Sequence, residues 1–457
     1  MWFSKGCQKF AASRLGATAD ALLSAAAGTA PGSMPGTRPG STPGSGVERA
    51  PLLSRSVTTC LVLILLLAWP SSGDWPQWRG PARDGISAET GLLEAWPAGG
   101  PPLVWKTQGL GEGFSSFSVS GGRLFTQGQR NGGQYVIALD EGTGEKLWEA
   151  PNGESFHERR GGGPRGTPTV DGGRVYAVAA NGNLICLRAA DGKRIWSTKL
   201  LDRFGASNIR WGISESPLID GNRLIVNPGG KGASVVALDK NNGNVIWKSR
   251  SDRAGYSSAV AADIAGIRQY IVLTGNGVLG LRANDGGLLW RYDEISNSTA
   301  NVATPIVKGD SVFVSTDYGT GCALLRLEAA GGGIRASEVY FNRDMRNHYG
   351  TSVLLGDYLY GFSSRILTAM DFRTGEVAWK DRSVGKGQVA YAEGKLYIFS
   401  EEGVVGLAEA TPEGYREISR FSIEHGDLRT WTQPVIANGK LYLRDQDSVS
   451  CYDIRAR

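Results

Sequence analysis

The stretch Ala138-Leu139-Asp140-Glu141-Gly142-Thr143-Gly144-Glu145-Lys146-Leu147-Trp148 decides the fold, because it returns. It comes back as Ala237-Leu238-Asp239 with Gly243 and Trp247, and as Ala369-Met370-Asp371 with Thr374-Gly375 and Trp379. Looser copies are Cys186-Leu187 with Asp191-Gly192 and Trp196, and Gly280-Leu281 with Asp285-Gly286 and Trp290. Each copy reads as a strand end, a tight turn and a second strand. The turn Gly supplies a φ > 0 position that a residue with a Cβ resists. The Trp four residues later is a large side chain that one hairpin cannot bury. A stacked array of hairpins can.

Around these copies the chain falls into units of roughly 40–50 residues, each with four short alternating strands, a period that indicates propeller blades. The first unit runs from Phe117 to Trp148, and the second ends at Trp196, the third at Trp247 and the fourth at Trp290. The fifth loses its Trp near Val339-Tyr340, the sixth ends at Trp379, and the seventh has Phe421 in that place. The eighth, from Thr432 to Asp453, lacks a fourth strand, and the isolated Leu103-Val104-Trp105 supplies one. The expectation is therefore an all-β, eight-bladed propeller of four-stranded blades, closed by an N-terminal strand, over residues 74–457. Closure pairs two edges that would otherwise stay open. Trp105, Trp148, Trp196, Trp247, Trp290 and Trp379 are expected to be structural, buried between blades.

The 65 Gly among 457 residues suit a chain of tight turns. The net charge of +5 belongs to the N-terminus. Six of the 49 basic and two of the 44 acidic residues precede Asp74, which leaves 43 and 42 and a net of +1. No basic field remains to hold nucleic acid. Of five Cys, Cys186, Cys322 and Cys451 lie in the propeller, with no CxxC pair, haem attachment or zinc spacing. Cys186 and Cys451 fill the small-residue slot that Ala takes elsewhere.

Residues 1–50 are Ala-rich and then Gly/Pro/Ser/Thr-rich, an expected disordered extension. Within 51–73 an apolar run of about 13 residues, Val57 to Trp69, follows Arg55 and precedes Ser71 and Gly73. That is short of the roughly 20 residues of a membrane span. It reads as a secretory signal cut before Asp74, or as a short anchor if retained. Membrane contact is then confined to that segment, and the body of the protein is expected to be periplasmic or secreted.

The spacing Ala-x-Asp-x-x-Thr-Gly-x-x-x-Trp closely resembles the pyrroloquinoline-quinone (PQQ) propeller repeat, from Trp105 to the C-terminus. Pro76-Gln77-Trp78-Arg79-Gly80-Pro81, Asn347-His348-Tyr349-Gly350 and Leu443-Arg444-Asp445-Gln446-Asp447 resemble stretches of secreted bacterial PQQ-like repeat proteins. The outer-membrane assembly scaffold and the quinoprotein alcohol dehydrogenases share the repeat.

In such a ring the loop after each outer strand leads onto the next inner strand, and these loops gather at one mouth of the channel. They carry Arg165, Trp211, Glu215, Asn301, His348 and Trp431, expected to converge as a ligand site. Lys386 stands in the same set of loops, and it or Arg165 is placed to hold carboxylates. Blander roles stand beside these: an Arg165–Glu215 pair across blades, Trp211 and Trp431 as channel plugs, and a neutral His348 bonded to backbone. His157 falls in an insertion read as a mobile surface loop, and His425 reads as solvated. The leading expectation is a non-catalytic module that binds a small molecule or an envelope protein. One alternative implied by the resemblance is a PQQ- and calcium-dependent oxidoreductase acting on an alcohol or sugar, with Glu215 and Asn301 as two calcium ligands. No Asp in the mouth loops completes that ligand set, and the adjacent Cys pair of many such enzymes is absent. The other alternative is an envelope assembly scaffold.

Overall fold

The computed structural model describes residues 73–456. The chain divides into a unit spanning Met1–Leu65 and one spanning Leu66–Arg457. The expectations for the extension and for the apolar run Val57 to Trp69 lie outside the described residues. Among the described residues no helix is long and apolar enough to cross a membrane.

The second unit is an eight-bladed propeller, each blade an antiparallel four-stranded meander. The inner strands are three to six residues long, beginning with Ser118–Ser120 and ending with Val435–Ala437. Closure is as the sequence predicts. Leu103–Thr107 is the outer strand of blade eight, antiparallel to Ser448–Asp453, with Trp105 opposite Cys451.

One local irregularity repeats around the ring. In every blade the register between the third and outer strands slips by one residue, in seven of them just before the aromatic position. In blade seven the slip sets Ser419 opposite Leu407, and Phe421 lies two residues further on opposite Val405, which corrects the expectation of Phe421 in the Trp place. Ala138 faces Trp148 and Leu139 faces Lys146, so Leu147 is a bulge residue. The same slip places Ala237 opposite Trp247, Cys186 opposite Trp196 and Ala369 opposite Trp379. A bulge twists the strand and re-aims its side chain. Here it turns the indole toward the next blade and the small partner leaves room for it. Cys186 and Cys451 are buried free thiols in that slot. Most bulge residues face outward, with Leu147, Ile195, Ile246 and Val104 among the exposed large apolar side chains, whereas Leu289 of blade four is buried.

Each turned aromatic is fastened to the neighbouring blade. The indole N–H of Trp105 donates to Glu141 O at 3.1 Å, Trp148 to Ala189 O at 3.0 Å, and Trp196 to Lys240 O at 3.0 Å. Trp247 donates to Ala283 O at 3.0 Å and Trp379 to Thr411 O at 2.9 Å. Tyr340 takes the missing Trp place in blade five and donates to Phe372 O at 3.0 Å. Trp290 departs from the pattern. Blade five joins its two outer strands, Gly321–Ala330 and Gly333–Asn342, by a Gly-Gly turn and offers no Asp-Gly turn at that level. Trp290 instead folds over Gly280 of its own blade and bonds Gln269 at 2.6 Å.

The expectation of full burial needs correcting for three of these residues. Trp105, Trp247 and Trp290 are buried, whereas Trp148, Trp196 and Trp379 are only partly buried. Outer strands lie at the rim, where a ring can cover one indole face but not its edge.

The irregular segment after Asp74 is a brace that crosses the ring. Trp75 pairs with Val119 of blade one, and Pro76 O accepts from Val170 N–H of blade two at 2.7 Å. Arg83 donates to Ser216 O and Pro217 O of blade three and to Ala259 O of blade four. Trp78 reaches Thr304 in blade five at 3.1 Å, and Arg79 reaches Thr351 O and Ser352 O in blade six. Ile86–Ser87 adds a parallel strand to blade seven, and Leu93 N–H bonds Ile454 O beyond blade eight. All eight blades are tied by one segment of chain. Inner strands are short and their ends leave unpaired carbonyls. A planar guanidinium, with five donors and no ladder of its own, satisfies several of them at once. Burial lowers the pKa of Arg79 to about 10 and that of Arg83 to about 9, with the Asp84 and Glu215 carboxylates respectively opposing the shift.

Candidate functional site

Inner strands begin at the mouth, so the loops that enter them and the turns between second and third strands share that end. Together they enclose a cavity of about 130 Å³. Trp78 of the brace lines it, as do Phe114, Trp211, Tyr256, Tyr349 and Trp431. The aromatic faces are ordered. Trp431 stacks on Phe114 with centroids 4.9 Å apart and on Tyr349 at 5.5 Å. Trp211 is tilted against Tyr256 at 5.7 Å. The Trp431 indole is held by Glu401, which accepts its N–H at 2.9 Å.

Cations already cover several of these faces. Arg165 lies between Phe114 and Phe156, 5.4 and 4.9 Å from the ring centres. It also donates to Gly161 O at 2.9 Å and to Gly163 O. Arg160 and Arg210 sit over Trp211 at 5.8 and 5.0 Å, and Lys386 over Tyr349 at 5.1 Å. Desolvation brings the Arg165 guanidinium down to about 10, with the Glu158 carboxylate opposing.

His348 is a neutral imidazole with its tautomer fixed by its neighbours. Lys386 Nζ approaches Nδ1 at 3.1 Å, and an ammonium can only donate. Nδ1 is therefore the acceptor, and Nε2–H donates to the Tyr318 hydroxyl at 3.0 Å. Burial, followed by the adjacent Lys386 charge, brings the His348 pKa down to about 4. Its partners are side chains rather than backbone.

Of the six residues expected to converge, the structure brings four to the cavity wall: Arg165, Trp211, His348 and Trp431. Glu215 and Asn301 are corrected. Glu215 is buried with Oε1 accepting the Asn227 N–H at 2.7 Å, and it faces Arg83 rather than Arg165. Burial pushes its carboxyl up to about 8. Asn301 accepts the Asn297 N–H and donates to Thr274 O, each at 3.0 Å. Both side chains complete backbone hydrogen bonds that the loop turns leave open. Glu215 Oε1 and both ends of the Asn301 amide are committed to that task, which counts against the calcium site implied by the quinoprotein resemblance. Among the described residues, no three His, Cys, Asp or Glu side chains cluster as a metal would need.

Two further expectations change. The insertion around His157 leaves that residue exposed, yet folds Glu158 and Arg160 onto the cavity wall. His425 is not fully solvated: its Nδ1 lies 3.2 Å from Asp445. Trp78 and Tyr318 are wall residues that the sequence reading did not single out. Tyr318 has φ 57° in Tyr318-Gly319-Thr320-Gly321, the turn between the second and third strands of blade five. In the sequence the available signal was an aromatic set beside Gly319 and Gly321 in a strand-to-strand turn.

Fold and repeat together define a PQQ-like β-propeller repeat protein. A family model described as outer membrane protein assembly factor BamB matches residues 132–381, more than half of the chain, and the chain belongs to that family. It is 27% identical over 296 residues to the BamB of Escherichia coli K12, covering 61% of this chain and 71% of that one. To the Yersinia pestis BamB it is 26% identical over 296 residues, with the same coverage. Among solved structures it superposes on the BamB of Moraxella catarrhalis with a TM-score of 0.57 at 15% identity, covering 77% of this chain and 99% of that one. It superposes on the quinohemoprotein alcohol dehydrogenase of Comamonas testosteroni with a TM-score of 0.60 at 12% identity, covering 84% and 81%. At those identities the superpositions show a shared fold.

Proposed function

We propose that this propeller is an extracytoplasmic, non-catalytic scaffold that holds an envelope protein at its channel mouth. The reading places it in outer-membrane protein assembly, the role that its relatives' names carry. Residues 74–457 form the working module, delivered by the preceding signal or anchor. The observation that carries the reading is the family match across blades one to six. The mouth supports it with Trp211, Trp431, Tyr318, Arg160 and Arg165, the residue types that dominate protein-binding hot spots. Arg165, Trp211, His348 and Trp431 are the proposed contact residues. Deleting the gene in its own host tests the reading. A scaffold of this kind predicts lower levels of folded outer-membrane proteins, restored by the wild-type chain. An unchanged outer-membrane profile in the deletion strain contradicts it.

A further inference from the structure

We infer that the mouth cavity receives one aromatic side chain of the partner, with a carboxylate beside it held by Arg160 and Arg165. The inference rests on the scaffold reading and specifies its partner chemistry. Size is the first argument. The cavity of about 130 Å³ is close to the roughly 150 Å³ that accommodates a benzene ring, so a single aromatic side chain fits it. Lining is the second. Trp78, Phe114, Trp211, Tyr256, Tyr349 and Trp431 offer faces and edges to which a further ring packs edge-to-face or offset.

Charge decides the flank. An aromatic cage invites a cation only while its faces are free. Here Arg165 covers Phe114, Arg160 and Arg210 cover Trp211, and Lys386 covers Tyr349. A second cation meets repulsion, whereas a carboxylate meets the Arg160 and Arg165 guanidinium groups. Glu158 is the one acid of the wall, and its carboxylate already accepts the Arg160 backbone N–H at 2.7 Å. Arg165 has two of its nitrogens committed to Gly161 O and Gly163 O, which fixes the fork in place. Among the described residues the Arg160 guanidinium has no hydrogen-bond acceptor and rests on Trp211 alone. It is exposed at the rim, where an incoming carboxylate arrives first.

Calorimetry of the full chain with the peptide acetyl-Gly-Asp-Phe-Asp-Gly-amide tests this. One-site binding is expected, weakened at least tenfold when Phe is replaced by Ala or both Asp by Lys. Val302→Trp, which fills the cavity from a partly buried wall position, should weaken binding tenfold or more. Arg160→Glu should do so as well, and its exposed site leaves folding unaffected. No binding, equal binding of the Lys-flanked peptide, or full binding by Arg160→Glu overturns the inference. The scaffold reading is scored separately by capture of the partner from envelope extract. Capture by wild type and Val302→Trp alike sinks the cavity occupant and keeps the scaffold. Failure of wild type to capture any envelope protein sinks the scaffold.

Discussion

Gly192 lies under the indole of Trp148 from the preceding blade: a Cβ on Gly192 would stand 2.6 Å from Trp148 Cε3. The repeat therefore couples its Gly and Trp between blades, not within one. Gly144 meets Trp105 in the same way across the closure, with a Cβ distance of 2.5 Å. At Gly192 φ is 71°, so a side chain there is both strained and in collision. Gly192→Ala is expected to destabilise by roughly 2–4 kcal/mol. In a double-mutant cycle with Trp148→Ala the two losses should fall short of additivity, because the collision disappears with the indole. Additive losses measured in denaturant would show that the two residues do not act together.

The closing strand should matter as much as any within a blade. Trp105→Ala removes a buried indole and its bond to Glu141 O, with an expected cost of roughly 3–5 kcal/mol. Deleting residues 74–106 opens the edge of blade eight and removes the brace, and should abolish a cooperative melt. A truncated chain that melts as the full one does contradicts closure through this strand.

Arg83 is buried beneath the mouth and donates to three inner-strand carbonyls, whereas burial pushes the nearby Glu215 carboxyl up to about 8 and so favours its neutral form. Arg83→Met strands the carbonyls of Ser216, Pro217 and Ala259, and a loss of roughly 3–5 kcal/mol is expected. Glu215→Gln should cost little near neutral pH, since the amide still accepts the Asn227 N–H and no charge is lost. A Glu215→Gln loss in thermal melts as large as that of Arg83→Met would show instead that the two residues act as an ion pair.

Acid should loosen the mouth through His348. Its folded pKa is about 4, below the ordinary value of 6.5. Between those values the unfolded chain binds a proton that the folded chain does not, so stability falls as pH falls through that window. The contribution is on the order of 2 kcal/mol after allowance for partial exposure. His348→Asn should flatten the slope of stability between about pH 6.5 and 4. A variant with the wild-type slope would assign the acid sensitivity elsewhere.

The fold was legible because the Trp copies fall in register and each needs a neighbour to cover it. The orphan strand at Leu103-Val104-Trp105 likewise announced the closure. The brace was not legible. Pro76-Gln77-Trp78-Arg79-Gly80-Pro81 has no periodicity, and its order comes from N–H, hydroxyl and carbonyl groups that separate blades present. The mouth was half legible. Counting only loops that enter inner strands found Arg165, Trp211, His348 and Trp431. It overlooked Tyr318, because turns between second and third strands reach the same end. Glu215 and Asn301 stand at the expected level of the ring, but sequence position does not reveal which side chains turn inward to cap backbone.

Site-specific photocrosslinking in the native host tests the central claim most directly. A crosslinker at Arg160 marks the mouth, and one at Asn222, in the turn between the first two strands of blade three, marks the opposite end. The account predicts a discrete adduct with an envelope protein from position 160, lost on Val302→Trp, and none from position 222. An adduct from position 222 alone, or none from position 160, would contradict docking at the mouth.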